Sequence, residues 1–203
     1  MKENNWFDPF YIKDHLSNEE KEIQINVREF CNKELRPQVI KNNREHKFNQ
    51  NLYLRFGSMG ILGQTVKTHG GSGTSNLAYG LVAYELEKID SSYRSAISVQ
   101  SSLVIHPINE FGSEEQKNRF LSDLIEGKKI GCFGLTESEA GSDPSSMKTS
   151  YKKVKDGYIL NGTKNWITNA PIADIFIIWA IEENNNHKSI KAVSYTHLRA
   201  HET

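Results

Sequence analysis

From Ser17 onward, apolar residues recur three and four positions apart. Ile23, Val27, Phe30, Cys31 and Leu35 form one such stripe, opened by Ser17-Asn18-Glu19-Glu20 and followed by Pro37. The opening tetrapeptide is a capping box, in which the Ser17 hydroxyl accepts from the Glu20 amide while Glu20 reaches back. The pattern therefore predicts a helix that stops at the proline. A short helix over 51–59 is stopped by Gly60, and Gly70-Gly71-Ser72-Gly73 is a loop. Ser75 caps the next helix, for which Leu77, Leu81, Tyr84 and Ile89 are the expected buried stripe. A further helix runs from about Ser95 to Phe111 and ends at Gly112, with Pro107 kinking or splitting it. Ser113-Glu114-Glu115-Gln116 is a second capping box, leading through Phe120, Leu121 and Leu124 to Gly127.

Near Ile130 the period changes. Asp156-Gly157 and Asn161-Gly162 are pairs suited to tight hairpins, and Tyr158-Ile159-Leu160 between them reads as a short strand. Ile175 to Ile181 is an unbroken apolar run, as in a strand buried on both faces. The fold class expected is α+β: a helical domain over 1–128, then a β domain over 129–191. Three or four strands are too few to close a barrel or cover a sandwich, so the β domain reads as truncated. Residues 192–203 fit no expected strand and resemble a translated sequencing-adapter tail, set apart from the fold.

Composition narrows the classes. The 203 residues carry 25 Lys plus Arg against 25 Asp plus Glu, so no net charge draws the chain to nucleic acid or to an anionic membrane. The N-terminus lacks a secretory pattern, and no stretch nears the roughly 20 apolar residues that span a bilayer. Cys31 and Cys132 are far apart with no CxxC, which reads as two free thiols of a soluble protein in a reducing bacterial cytoplasm. Gly70 to Gly73 lacks the Lys-Ser or Lys-Thr of a phosphate loop. His197 and His201 have helical metal spacing but no further ligands, so no metal is expected.

Gly131-Cys132-Phe133-Gly134-Leu135-Thr136-Glu137, then Ala140-Gly141-Ser142-Asp143 and Trp166-Ile167-Thr168-Asn169, offer amides, small residues, hydroxyls and one indole along strands and turns. Such a set suits a flat, electron-poor ring with a phosphate tail. A second feature is Asp90-Ser91-Ser92-Tyr93-Arg94-Ser95. An arginine at a helix start is ordinarily solvated and paired, here with Asp90, and a single tryptophan is ordinarily a core aromatic.

The order and spacing of these motifs change that reading. Phe133 to Glu137, Gly141 to Met147, Asn161 to Lys164 and Trp166 to Asn169, with Glu85 to Asp90, Tyr93 to Ala96 and Ser98 to Val104, resemble the acyl-CoA dehydrogenase family from about Trp6 to Lys191. Within it the resemblance is to the subgroup that oxidises and decarboxylates glutaryl-CoA to crotonyl-CoA and CO2. The family fold comprises an N-terminal helical domain, a middle β domain and a C-terminal four-helix domain. This chain resembles the first and part of the second. The resemblance implies FAD as cofactor, an acyl-CoA thioester as substrate, an electron-transfer flavoprotein as acceptor and a homotetramer.

Carried over residue by residue, it implies a flavin site of Phe133, Leu135, Thr136, Gly141, Ser142, Trp166, Ile167 and Thr168. Leu135 and Thr136 would serve the pyrimidine edge, and Trp166 would pack on the ring. Ile167 and Thr168 would present an amide and a hydroxyl. Gly141 allows close backbone approach, and Ser142 would bind phosphate or the substrate's nucleotide portion. Arg94 and Ser95 would hold the free carboxylate of a glutaryl chain, because a guanidinium offers two parallel donors. Glu87 would orient Arg94. The family's base is a glutamate of the C-terminal domain, so no catalytic residue is assigned and the chain itself is expected to be inactive. Glu137, the carboxylate within the motif, reads as structural. Two alternatives stand beside this reading: a relative acting on a monocarboxylic acyl-CoA, and a non-enzymatic helical fragment with an incomplete flavin pocket. One departure is Ser138-Glu139-Ala140, where relatives often carry proline and asparagine; an inward Glu139 would oppose a phosphate.

Overall fold

The computed structural model describes residues 8, 10–155, 157–183 and 190–195. Eight α-helices precede the sheet: α1 (Ile12–His15), α2 (Asn18–Phe30), α3 (Val39–Arg44), α4 (Leu52–Ser58), α5 (Asn76–Glu87), α6 (Ser91–Ser98), α7 (His106–Phe111) and α8 (Glu114–Ile125). Both capping boxes form. Ser17 accepts from the Glu20 amide at 3.2 Å while Glu20 accepts from the Ser17 amide at 3.0 Å, and Ser113 and Gln116 repeat the exchange. Each pair satisfies two of the amide donors that a helix start leaves orphaned.

Neither proline stops its helix. After α2 the chain widens into a π-helical stretch, Cys31–Leu35, tightens to a 3-10 turn at Arg36–Gln38, and runs on into α3. Pro37 sits in the first turn of that 3-10 segment, where its missing N–H costs least. The same device recurs before Pro107. α6 begins at Ser91, capped by Asp90, passes into the π-helical stretch Val99–Ile105, and continues as α7 with the proline in its first turn. A change of helix type at each proline thus carries the chain past the lost hydrogen bond.

The buried face of α5 also differs from the expected stripe. Ala78, Leu81, Val82, Glu85 and Leu86 point inward, whereas Leu77 and Tyr84 are exposed. The reason is Glu85, 2% exposed, which faces α2 and takes bonds from Gln24 (2.8 Å) and from Arg28 (2.8 and 3.2 Å). Burial pushes its pKa up, but the guanidinium of Arg28 and the ammonium of Lys88 outweigh that, and the net shift is downward. A charged residue was thus placed inside by its partners, against the apolar pattern.

Five strands follow: β1 (Gly131–Gly134), β2 (Ser150–Val154), β3 (Gly157–Asn161), β4 (Ile175–Glu182) and β5 (Ile190–Tyr195). β4 pairs in parallel with β1 (Gly131 opposite Ile175) and, at its far end, with β2 (Ser150 opposite Ile181). On the other edge it pairs antiparallel with β5, so β1 and β2 share one edge of β4 in succession. β2 and β3 form an antiparallel hairpin; Asp156 of its predicted turn lies outside the described residues. β4 is buried along most of its length, as its apolar run predicts. β5 corrects one expectation: it extends to Tyr195, four residues into the segment set apart as a tail. The predicted tail beyond it, with His197 and His201, lies outside the described residues.

Period-two alternation gives the sheet two apolar faces. Ile175 and Ile177 join the main core with Val27, Leu35, Tyr53, Phe56, Val104 and Leu124, so one core runs from helices into sheet. Cys132, Phe176 and Ile178 face the other way, against Leu160 and Ile167. Gly131 is required where β1 crosses the π-helical stretch, since a Cβ there would lie 2.5 Å from Val104 Cγ1. Both cysteines are free and buried, and burial pushes each thiol up to about 12. Among the described residues no helix is long and apolar enough to cross a membrane, and no three metal-ligating side chains cluster.

Candidate functional site

The strand β1 ends at Gly134, and the next three residues are clamped by one lysine. Lys164 Nζ donates to the Leu135 carbonyl (2.9 Å) and to Glu137 Oε1 (2.7 Å), with both charged side chains more than nine-tenths buried. Glu137 also accepts from the amides of Lys148 (2.7 Å) and Thr149 (3.0 Å). Burial pushes the Glu137 carboxyl up, but Lys164, Thr149 and those amides overcome it and hold the pKa at about 2. These bonds are all within the chain and fasten the turn to Lys164 and to the backbone before β2. The Thr136 carbonyl accepts from the Asn165 amide at 2.9 Å. With the carbonyls of Leu135 and Thr136 engaged, both residues half-buried, their donors are what this turn can offer a ligand.

The same clamp sets up the next segment. Past Asn165 the chain enters Trp166 in the left-handed region, φ 60°, and returns to it at Asn169, φ 70°. Asparagine adopts that conformation readily, whereas for tryptophan it costs about 1–2 kcal/mol. The Trp166 side chain is 90% exposed, so it is not the core aromatic that a lone tryptophan ordinarily is. Ile167 anchors the turn by packing against the small cluster on the outer face of the sheet; Thr168 is exposed. Asn169 donates to the Gly131 carbonyl at 3.1 Å.

Gly141 and Ser142 lie exposed, and a Cβ on Gly141 would meet nothing within 4 Å. The space above that backbone is open, as close approach of a ligand requires. Asp143 caps the short turn Pro144–Ser146 by accepting from Ser145. Glu139 is exposed and turned to Lys148, so it does not oppose an anion from within. Phe133 sits differently from the others. It is half-buried on β1, edge-on to Trp179 with centroids 6.0 Å apart, and opens on an apolar groove of about 530 Å3 beside Leu103, Pro107 and Phe111.

Arg94 stands on α6, half-buried, with Nε 2.7 Å from Glu87 Oε2. Asp90 is not its partner; that carboxylate caps the helix by accepting from the Ser92 amide at 2.8 Å. Glu87 also accepts from the Ser91 hydroxyl at 2.5 Å, and these two bonds, Ser91 first, pull its pKa below the usual range. Ser95 is half-buried beside Arg94. Tyr53 links this helix to the Trp166 turn: its fully buried hydroxyl donates to the Ala96 carbonyl at 3.4 Å and lies beside the Asn169 amide. The backbone of α6 and the tryptophan turn therefore meet at one phenol.

Lys164, Asn169, Gln100 and Tyr53 were not predicted as site residues. Lys164 and Asn169 stood inside the motifs, where spacing carries no sign of a buried ion pair or a left-handed turn. Gln100 stood inside the motif Ser98 to Val104 and Tyr53 in none; each acts on backbone groups distant in sequence, which spacing does not reveal.

Residues 17–128 match the acyl-CoA dehydrogenase N-terminal domain, and residues 132–200 match the acyl-CoA dehydrogenase middle domain. The chain belongs to the acyl-CoA dehydrogenase family. It is 34% identical over 181 residues to the short-chain specific acyl-CoA dehydrogenase of Clostridium acetobutylicum, an alignment covering 89% of this chain and 47% of that protein. The structure superposes on a glutaryl-CoA dehydrogenase from Mycobacterium smegmatis in complex with FADH2 with a TM-score of 0.87 and 39% identity, covering 92% of this chain and 47% of that one. A structure described as the electron transferring flavoprotein of Acidaminococcus fermentans gives 0.84 and 34%, covering 90% and 48%. The chain spans about half the length of the relatives it matches.

Proposed function

We propose that this chain forms the helical and flavin-facing part of an FAD-dependent acyl-CoA dehydrogenase that oxidises and decarboxylates glutaryl-CoA to crotonyl-CoA and CO2. The observation that carries the flavin reading is Trp166, a flat apolar ring 90% exposed on a strained turn and fixed to the sheet by its neighbours. A large aromatic held out on a strained turn offers a flat face to a planar partner. Gly141 leaves room for one, and with the carbonyls of Leu135 and Thr136 occupied, their N–H groups and the Thr136 hydroxyl are the donors left for a ligand. These residues fit FAD. When bound, FAD supplies a two-electron acceptor for the hydride leaving the substrate. Trp166 would cover the ring, with Ile167 and Thr168 beside it; Phe133 lies on the helical-core side of the sheet, away from Ile167, and is not placed there. Leu135 and Thr136 would donate to its pyrimidine edge, where charge accumulates, and Ser142 to a phosphate. The acceptor we assign is an electron-transfer flavoprotein, in keeping with the structural likeness above.

The glutaryl part rests on Arg94. Its guanidinium is oriented by Glu87 through Nε, and its two terminal nitrogens can fork onto a carboxylate. The ion pair also favours a second reading, since an arginine already satisfied by Glu87 needs no anionic substrate. On that view the substrate is a monocarboxylic acyl-CoA, as in the short-chain specific relative. Equilibrium binding of glutaryl-CoA and butyryl-CoA to the FAD-loaded chain separates the two. Loss of a bidentate charged bond is worth about 1.5–3 kcal/mol, so Arg94→Lys should weaken glutaryl-CoA about tenfold to a hundredfold and spare butyryl-CoA. Equal, small effects on both ligands would establish the monocarboxylic reading.

A further inference from the structure

Asn169 lies at a junction that neither the flavin contacts nor the substrate contacts require. Its amide donates to the Gly131 carbonyl at 3.1 Å and lies beside the Tyr53 hydroxyl. The amide N–H of that same Gly131 donates to Gln100 Oε1 at 2.8 Å. Gln100 is fully buried, and its Nε2 donates to the carbonyls of Leu124 and Lys129, each at 2.9 Å. Asp174 ties the preceding residue by accepting from the Ile130 amide at 2.9 Å while its own amide donates to the Ile130 carbonyl at 2.7 Å. The first residue of β1 is thus gripped from the helical core by Gln100 and from the tryptophan turn by Asn169.

We infer that Asn169 is a positioning residue for Trp166: its side-chain bond to Gly131, together with its left-handed backbone, ties the turn to β1 and so sets where the indole stands. The two residues between Trp166 and Asn169 leave little slack, and Asn169 is the polar anchor at one end as Asn165, bonded to the Thr136 carbonyl, is at the other. A turn held at both ends presents its side chain from a fixed frame, and a ring held in advance loses less entropy on binding. The inference rests on the flavin reading for its consequence, but its geometric core is independent of flavin.

The test uses the 203-residue chain with Asn169→Asp, Asn169→Gly and Val82→Ala, the last a core truncation that lowers stability without touching the turn. Asparagine and aspartate share size and left-handed preference, but a carboxylate cannot donate to the Gly131 carbonyl. Two readouts apply: the Trp166 indole N–H resonance, assigned by its loss in Trp166→Phe, and the FAD dissociation constant by flavin fluorescence. Asn169→Asp and Asn169→Gly should shift or broaden the Trp166 resonance and weaken FAD tenfold or more, while Val82→Ala leaves both unchanged. A native Trp166 resonance in Asn169→Asp would overturn the inference, as would an equal change in Val82→Ala. Should the wild-type chain bind no FAD, the flavin reading fails while the indole resonance still decides the role of Asn169.

Discussion

Replacing Lys164 by methionine removes the cation bonded to Glu137 while keeping the length and most of the packing of the side chain. Both partners are more than nine-tenths buried, at 2.7 Å. Breaking such a pair costs about 3–5 kcal/mol, because the remaining charge is left without compensation. Glu137 keeps two backbone donors, Lys148 and Thr149, which places the loss near the lower end, about 3 kcal/mol. The carboxyl's own titration agrees. Held at about 2 against an ordinary 4.5, its depression corresponds to roughly 3 kcal/mol. A depressed carboxylate adds stability above its unfolded pKa and loses it as pH falls through the folded one. The contribution is therefore complete above pH 4.5 and disappears by about pH 2. Urea unfolding of wild type and Lys164→Met across this range is the assay. The gap should be about 3 kcal/mol at pH 7 and close as pH falls from 4.5 to 2, since protonation then removes what the lysine compensated. Adding Glu137→Gln to the variant should recover stability, because a neutral amide needs no counter-ion. A gap below about 0.5 kcal/mol at pH 7, or one that stays constant into acid, would refute the reasoning.

Two other substitutions probe how the helices hold the sheet. Gln100→Ala strands the Leu124 and Lys129 carbonyls and the Gly131 amide; at about 1 kcal/mol or more each, a loss of at least about 3 kcal/mol is expected by chemical denaturation. Gly127→Ala puts a Cβ 2.0 Å from the Tyr53 carbonyl at a residue with φ 72°, so backbone strain and overpacking together should lower stability by on the order of 3 kcal/mol in a thermal melt.

The legible parts of the fold were those decided by local chemistry. Ser17 and Ser113 announce their helices because a cap needs only the next three residues, and Gly60 and Gly112 end theirs for equally local reasons. The run Ile175 to Ile181 marks a buried strand because its burial is the sum of its own side chains. Pro37 misled because a helix can change type within one turn, and whether it does depends on what packs against it; the split expected at Pro107 falls where the π-helical stretch gives way to α7. The face of α5 misled because Glu85 is inside only by virtue of Gln24 and Arg28, some sixty residues earlier. Candidate site residues followed the same division. The motifs located the Trp166 turn and Arg94, and Glu87 stands 2.7 Å from the Arg94 Nε. The Lys164 clamp and the junction of Tyr53, Asn169, Gly131 and Gln100 are contacts between distant segments, and composition and spacing hold no trace of them.

The central claim is that Trp166 is held out of the core to cover a flavin ring. Titrating the wild-type chain and Trp166→Ala with FAD, followed by flavin fluorescence and visible absorbance, addresses it directly. An offset-stacked aromatic contributes about 0.5–1.5 kcal/mol beyond the area it buries, and burying the indole face adds more, so the alanine variant should bind FAD at least tenfold more weakly while melting at an unchanged temperature. Saturable binding of equal strength in both proteins, or no binding in either, would contradict it.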